Sequence, residues 1–164
     1  MDRSMRAGNV AAAIGKGLVA GFVGTLAITA SQMLEMKLRH RPPSTAPADA
    51  AGKALGVQPK SETDKQRFAK LVHFGYGTLW GAFRGLLDAL GVDRKAAAAL
   101  ELGAVEGTAM VMLPGLKVAP PVSQWSAEEI AIETGHHVVY VAALEAAFEF
   151  LNRHSRTRRS TEAA

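Results

Sequence analysis

Residues 130–151 read IAIETGHHVVYVAALEAAFEFL, and this stretch decides the fold. The run is long and apolar enough for one continuous helix, yet its first half carries Glu133, His136, His137 and Tyr140. At 3.6 residues per turn, positions i, i+3, i+4 and i+7 share a face. Those four residues have that spacing, so one side of the helix presents a carboxylate, two imidazoles and a phenol. Three further apolar segments upstream supply walls around it. The chain therefore reads as all-α: a four-helix transmembrane bundle forming a single integral membrane domain over residues 1–164. The expected helices lie near 10–36, 66–90, 95–113 and 127–151, with a polar loop over 37–65 and a basic tail over 152–164.

Composition narrows the function classes. The chain has no Cys, which excludes a disulfide framework, a thiolate metal site and a Cys nucleophile. Hydrophobic residues make up 48%, yet the mean hydropathy is only +0.07. That average hides a split, in which long Ala/Gly/Leu/Val segments alternate with basic tails and a polar loop. The formal charge of +4 resides mostly in those tails and loops, a pattern suited to anionic lipid head groups. Aromatics are 6% and do not interleave with basic residues, so no nucleic-acid partner is expected.

The first apolar segment contains the uncharged run Gly17–Leu34, which reaches about the 20-residue length of a membrane span once its flanks are counted. Arg3 and Arg6 before it would also suit a signal peptide, but the run is long, Gly-rich and followed by no small-x-small cleavage site. Gly17, Gly21 and Thr25 recur every four residues, a spacing that lets a neighbouring helix backbone approach closely. Arg39, Arg41 and Pro42–Pro43 then close the helix. Asp49–Val57 reads as a short surface helix, and Ser61 with Asp64 as a variant capping box.

In the second long helix Gly77, Gly81 and Gly85 form another four-residue ladder, and His73, Tyr76, Gly77, Trp80 and Arg84 fall on one face. The polar groups and the glycine groove coincide, so those side chains should point into the bundle. Arg84 has an alternative, to snorkel at the membrane edge beside Asp88. In the third helix Ala99, Gly103 and Gly107 repeat the spacing and are expected to pack in the same way. Of its two acids, Glu106 is the interior candidate and Glu101 the edge one. Pro114–Gly115 ends it, Trp125 marks an interface, and Ser126 with Glu129 makes an S-x-x-E box before the last helix. Basic residues divide evenly between the two sides of a four-span arrangement, so the positive-inside rule gives no orientation. The dense basic tail beside the last span favours cytoplasmic termini and a multi-pass protein of the cell inner membrane.

His73, Tyr76–Gly77 and Gly81, together with Gly135–His136 and Val138–Val139–Tyr140, resemble the YagU-like family of small bacterial inner-membrane proteins. The likeness covers the last three helices best. It implies a multi-span inner-membrane protein and carries no established reaction.

The expected polar network comprises His73, Tyr76, Arg84, Glu106, Glu133, His136, His137 and Tyr140, with Glu133 orienting His137 and His136 pairing with Tyr140. Such a network fixes which helices pair, or it carries protons or ions, because histidine titrates near neutrality. Four short helices are few for a complete transporter, so proton or ion handling would call for a homo-oligomer or a partner membrane subunit. Glu133-x-x-His136 is half of the di-iron bundle signature, and two histidines on different helices are a ligand pair for haem. The ligand set is incomplete, so the expectation is no cofactor. Ser31, Ser123 and Ser126 lack a nucleophile-elbow context, and no phosphate-binding loop occurs, so no enzyme is expected. A soluble α-helical bundle is the competing class. Against it stand apolar residues wrapped around the helices and interior glycines that each cost about 1 kcal/mol in a water-exposed helix.

Overall fold

A computed structural model describes residues 3–162, and the side chains of residues 7–154. Within that range the chain is all-helical. It runs α1 (Arg3–Arg39), α2 (Ala46–Leu55), α3 (Glu62–Ala89), α4 (Arg94–Gly115), a single 3-10 turn (Val122–Gln124) and α5 (Ala127–Glu162).

Local chemistry sets these limits. Ser61 caps α3 by accepting from the Asp64 amide at 3.1 Å. The Asp93 carboxylate caps α4 through the Lys95 and Ala96 amides. The Ser126 box is fully reciprocal: the Glu129 amide donates to Ser126 Oγ, and Glu129 Oε2 accepts from the Ser126 amide at 2.7 Å. His40 at φ 54° turns the chain out of α1 just before Pro42. Gly91 at φ 77° makes the tight turn from α3 to α4, a conformation glycine adopts without a Cβ penalty.

Three differences from the expected layout stand out. There are five α-helices, because α2 occupies the stretch read mainly as loop. It begins at Ala46 with Pro47 in its first turn, where a missing N–H costs no hydrogen bond. It is more than a surface decoration, since Ala50 and Gly52 are buried, and α2 packs on α3 and α4. The end helices also overrun their expected bounds. α1 has 37 residues, about 55 Å at 1.5 Å per residue. α5 continues through the basic tail to Glu162, while residues 163–164 lie outside the described range.

α1 is the hub, lying along α3 and α5, while α4 touches α3 and α5 more sparingly. Two glycine ladders explain the closeness of α1 and α3. A Cβ placed on Gly21 would sit 2.7 Å from the Thr78 carbonyl oxygen, and one on Gly81 2.7 Å from Gly21 Cα. Gly17 faces Gly81, Gly77 faces Thr25, and Gly85 faces Ala13 and Ile14, an antiparallel register. Gly24, which the ladders do not include, is covered by the Tyr140 ring from α5. Gly103 and Gly107 overturn their expected role: nothing lies within 4 Å of a Cβ at either position. Their side of α4 has no neighbour to approach.

The buried centre is small. Ala20 and Ile28 of α1, Val105 of α4, and Tyr140, Val141, Leu144 and Phe148 of α5 form it. Large apolar side chains lie outside instead. Phe22, Leu26, Met33 and Leu34 of α1, Leu71, Leu79 and Leu86 of α3, Val111 of α4 and Phe150 of α5 are all exposed. Two helices, Ala7–Arg39 and Arg94–Gly115, are long and apolar enough to cross a membrane.

Candidate functional site

The polar residues of α5 each reach a different helix. Tyr140 is buried and donates its hydroxyl to the Gly77 carbonyl of α3 at 2.7 Å. The close α1–α3 crossing leaves Gly77 open to that approach, and Gly24 leaves room for the ring. His136 is buried against α1, with Nδ1 2.8 Å from Ser31 Oγ and Nε2 4.0 Å from Glu35. His137 turns the other way, toward α4, with Nδ1 3.3 Å from Glu106 Oε1. On α3, His73 Nε2 lies 2.8 Å from Thr29 Oγ1 of α1.

Two expected pairings are therefore replaced. Glu133 does not orient His137, and His136 does not pair with Tyr140. Neighbours on one helix face diverge from each other toward different partner helices, so cross-helix bonds win over i+3 and i+4 ones. Tyr76 departs from the expected interior position: it is 40% exposed, and its ring meets Trp80 edge-on with centroids 5.9 Å apart. Arg84 does not snorkel. Its side chain is almost wholly buried, pairs with both oxygens of Glu145 on α5, and lies over the Phe148 ring at 4.3 Å. Glu101 corrects the division of the α4 acids, because it is fully buried whereas Glu106 is 9% exposed. Neither Glu101 oxygen has a hydrogen bond, and the carboxyl is within electrostatic reach of Arg84 and Glu145.

The expected network left out Glu35, Glu101, Glu145, Thr29 and Ser31. At the loop end of the bundle Glu35 gathers Arg41 through two 2.8 Å bonds and Arg39 at 3.2 Å, and Arg39 continues to Glu128 of α5.

His73, Tyr76, Glu133, His137 and Tyr140 converge on one cavity of about 150 Å³. Its other walls are mostly apolar, with Ile28 of α1, Val72 and Trp80 of α3, and Val105, Met112 and Leu113 of α4, and Thr25 and Gln32 of α1 add a hydroxyl and an amide. Pro47 and Ala51 of α2 cover its loop end. A second cleft of about 240 Å³ opens at the opposite end of the bundle among Arg84, Asp88, Arg94 and Glu149. Among the described residues no three His, Asp or Glu side chains gather as a metal-ligand set. The histidines also suit haem poorly, since His73 and His136 are each tied to an α1 hydroxyl, and a 150 Å³ space is below the range that encloses even ordinary small-molecule ligands.

No protein-family model, curated protein or solved structure matches the chain.

Proposed function

We propose that the chain is a multi-pass integral membrane protein, with α1, α3, α4 and α5 as its four spans and the polar side chains between them as its helix-pairing device. One observation carries the membrane reading. Only 39% of the apolar window in α1 and 22% of that in α4 are buried inside the protein. The core helix of a water-soluble bundle hides most of such a run, whereas these helices turn it outward, and large outward apolar surfaces need a non-aqueous neighbour. The small core agrees, because helices in lipid associate through close backbone contact and hydrogen bonds more than through buried apolar bulk. The YagU-like likeness of His73, Tyr76–Gly77, Gly81 and Gly135–His136 supports an inner-membrane location. Carbonate extraction of the expressed protein tests this reading. Retention in the pellet is expected, and release into the supernatant refutes it.

The pairing role follows from where each bond goes. Thr29–His73 ties α1 to α3, Ser31–His136 ties α1 to α5, and Tyr140–Gly77 and Arg84–Glu145 tie α3 to α5, while α4 meets α5 through the 3.3 Å approach of Glu106 to His137, which is not a hydrogen bond. Each bond fixes a register that lipid-facing apolar contacts alone leave free.

A second reading, proton handling, is favoured by the placement of His137. An imidazole and a carboxyl 3.3 Å apart beside a cavity form an acid–base pair that exchanges a proton with whatever enters. Proteoliposomes under a pH gradient test it: flux should fall in Glu106→Gln and in His137→Asn. Wild-type flux in both folded variants removes this reading and leaves helix pairing.

A further inference from the structure

The cavity has a chemical character of its own. Its walls are apolar and aromatic, and Tyr76, Trp80 and Tyr140 all line it. Glu133 is the one acidic side chain on its wall, and no Lys or Arg is on that wall. Of the other polar groups there, Thr25 donates to the Gly21 carbonyl, Tyr140 donates to the Gly77 carbonyl and His73 pairs with Thr29, while His137 lies 3.3 Å from Glu106 without a hydrogen bond and the Gln32 amide and Trp80 N–H are neutral. Among the described residues Glu133 has neither a hydrogen bond nor an ion pair. Arg41 is close enough to feel its charge, but the Arg41 guanidinium is held by both oxygens of Glu35.

A half-buried carboxylate without a partner, in a space walled by hydrocarbon and aromatic rings, is unstable as it stands and attracts a positive charge. The surrounding rings add to that preference, since the face of Trp or Tyr draws a cation within about 6 Å. An anion would meet Glu133 and find no cationic side chain on the wall. A strongly hydrated metal ion would find one carboxylate and few free oxygens, too few to replace its water. The volume equals the liquid share of about five waters, which sets an upper size.

We infer that this cavity is a binding site for a small monovalent organic cation, a protonated or quaternary amine with a compact apolar body, whose charge lies against Glu133 and whose body lies among Tyr76, Trp80 and Tyr140. The inference is independent of proton handling, and it is tested on purified protein, where failure of the membrane reading would already have shown in the carbonate experiment.

The probe is tetramethylammonium, with tert-butyl alcohol and methanesulfonate as neutral and anionic counterparts of matching size. Trp125→Phe leaves Trp80, on the cavity wall, as the single fluorescent tryptophan. Saturable change in Trp80 emission is expected with the cation, at least tenfold weaker in Glu133→Gln and absent with methanesulfonate. Ala109→Phe, which fills the cavity from α4, should abolish the response without touching the carboxylate and covers the case in which Glu133→Gln fails to fold. The inference is overturned by no saturable response to the cation, by equal affinity for tert-butyl alcohol or methanesulfonate, or by unchanged affinity in either folded cavity variant.

Discussion

Replacing Gly81 with Ala is the sharpest perturbation of the α1–α3 crossing. The new Cβ would sit 2.7 Å from both the N and Cα of Gly21 and closer still to the Gly17 carbonyl oxygen. Ordinary carbon contacts lie at about 3.5–4.0 Å, so the two helices must part by roughly 1 Å at this point. All the obstructing atoms are backbone, and no rotamer change relieves them. A gap of that size forfeits a quarter to a half of each dispersion contact it opens, and the crossing extends from Ala13 against Gly85 to Thr25 against Gly77. Together with the overpacking itself, the loss comes to about 1–3 kcal/mol. Gly107→Ala is the control, because its Cβ meets nothing within 4 Å. That variant should be neutral or gain up to about 1 kcal/mol from helix propensity. Reversible unfolding in mixed micelles, followed by circular dichroism, measures both. A Gly21→Ala/Gly81→Ala double variant should lose less than the sum, since the first Cβ already separates the helices. Equal stability of Gly81→Ala and wild type, or equal damage from Gly107→Ala, would refute the close-crossing account.

Two further outcomes follow from the ion pairs and caps. Arg84→Met removes the cation from a buried group that includes Glu145 and Glu101, and should destabilise by about 3–5 kcal/mol, with Glu145→Leu added on top restoring part of the loss in the same unfolding assay. At the exposed start of α5, ahead of the apolar run that begins at Ile130, hydrogen bonds from the Ser126 amide and hydroxyl hold the Glu129 carboxyl below its ordinary value of 4.5. A depressed folded-state pKa means that the stabilisation is present above the unfolded value and lost as pH falls through the folded one. The protection factor of the Ser126 amide, its exchange rate relative to that of the unstructured amide at the same pH, should therefore fall on acidification beneath 4.5, and equal protection on both sides of that range would contradict the cap.

Much of this architecture was legible because helical periodicity is a strong signal. The four-residue rows in α1 and α3 marked the close-packing face of each helix without saying that the two faces meet, and the row from Glu133 to Tyr140 located the polar side of α5. The partners were harder to read, although the rows contained them. On α1, the row Gly17, Gly21, Thr25 continues to Thr29, which meets His73, while the neighbouring row Gly24, Ile28, Ser31, Glu35 faces α5 and meets Tyr140 and His136. On α5, the row His137, Val141, Glu145 leads directly to the partner of Arg84. Extending each row beyond its first two turns would have exposed these residues. The failure at Gly103 and Gly107 has a different origin. A glycine ladder permits close approach but cannot attract a helix, so spacing alone does not reveal whether a neighbour is present. Glu101 was misjudged because five-residue separation from Glu106 places the two on different bearings, and α4 lies between α3 and α5 with protein on more than one side.

The composition of α3 and α5 bears on the lipid question in a way that hydropathy does not capture. α1 passes as a span because its polar partners are Gly, Thr and Ser, whereas α5 contributes the charged half of the same contacts. Mean hydropathy counts His136, His137 and Glu145 against α5 even though these side chains are turned into the protein, at 6%, 12% and 13% exposure. Over residues 71–87 of α3 and 130–151 of α5 no exposed side chain is charged, and the large apolar ones there are Leu71, Leu79 and Leu86 on α3 and Val138, Val139 and Phe150 on α5. Direction, not average composition, decides which solvent a helix tolerates. Nitroxide labels at positions 79 and 139, on protein reconstituted in bilayers, convert this into a measurement. If α3 and α5 are spans, collisions with molecular oxygen should exceed those with a water-soluble nickel chelate at both positions, with the reverse ranking for a label at position 65, where Lys65 is exposed near the start of α3. Higher chelate accessibility at 79 and 139 would leave α1 and α4 as the only spans, and would place the His73 and His137 cavity in water.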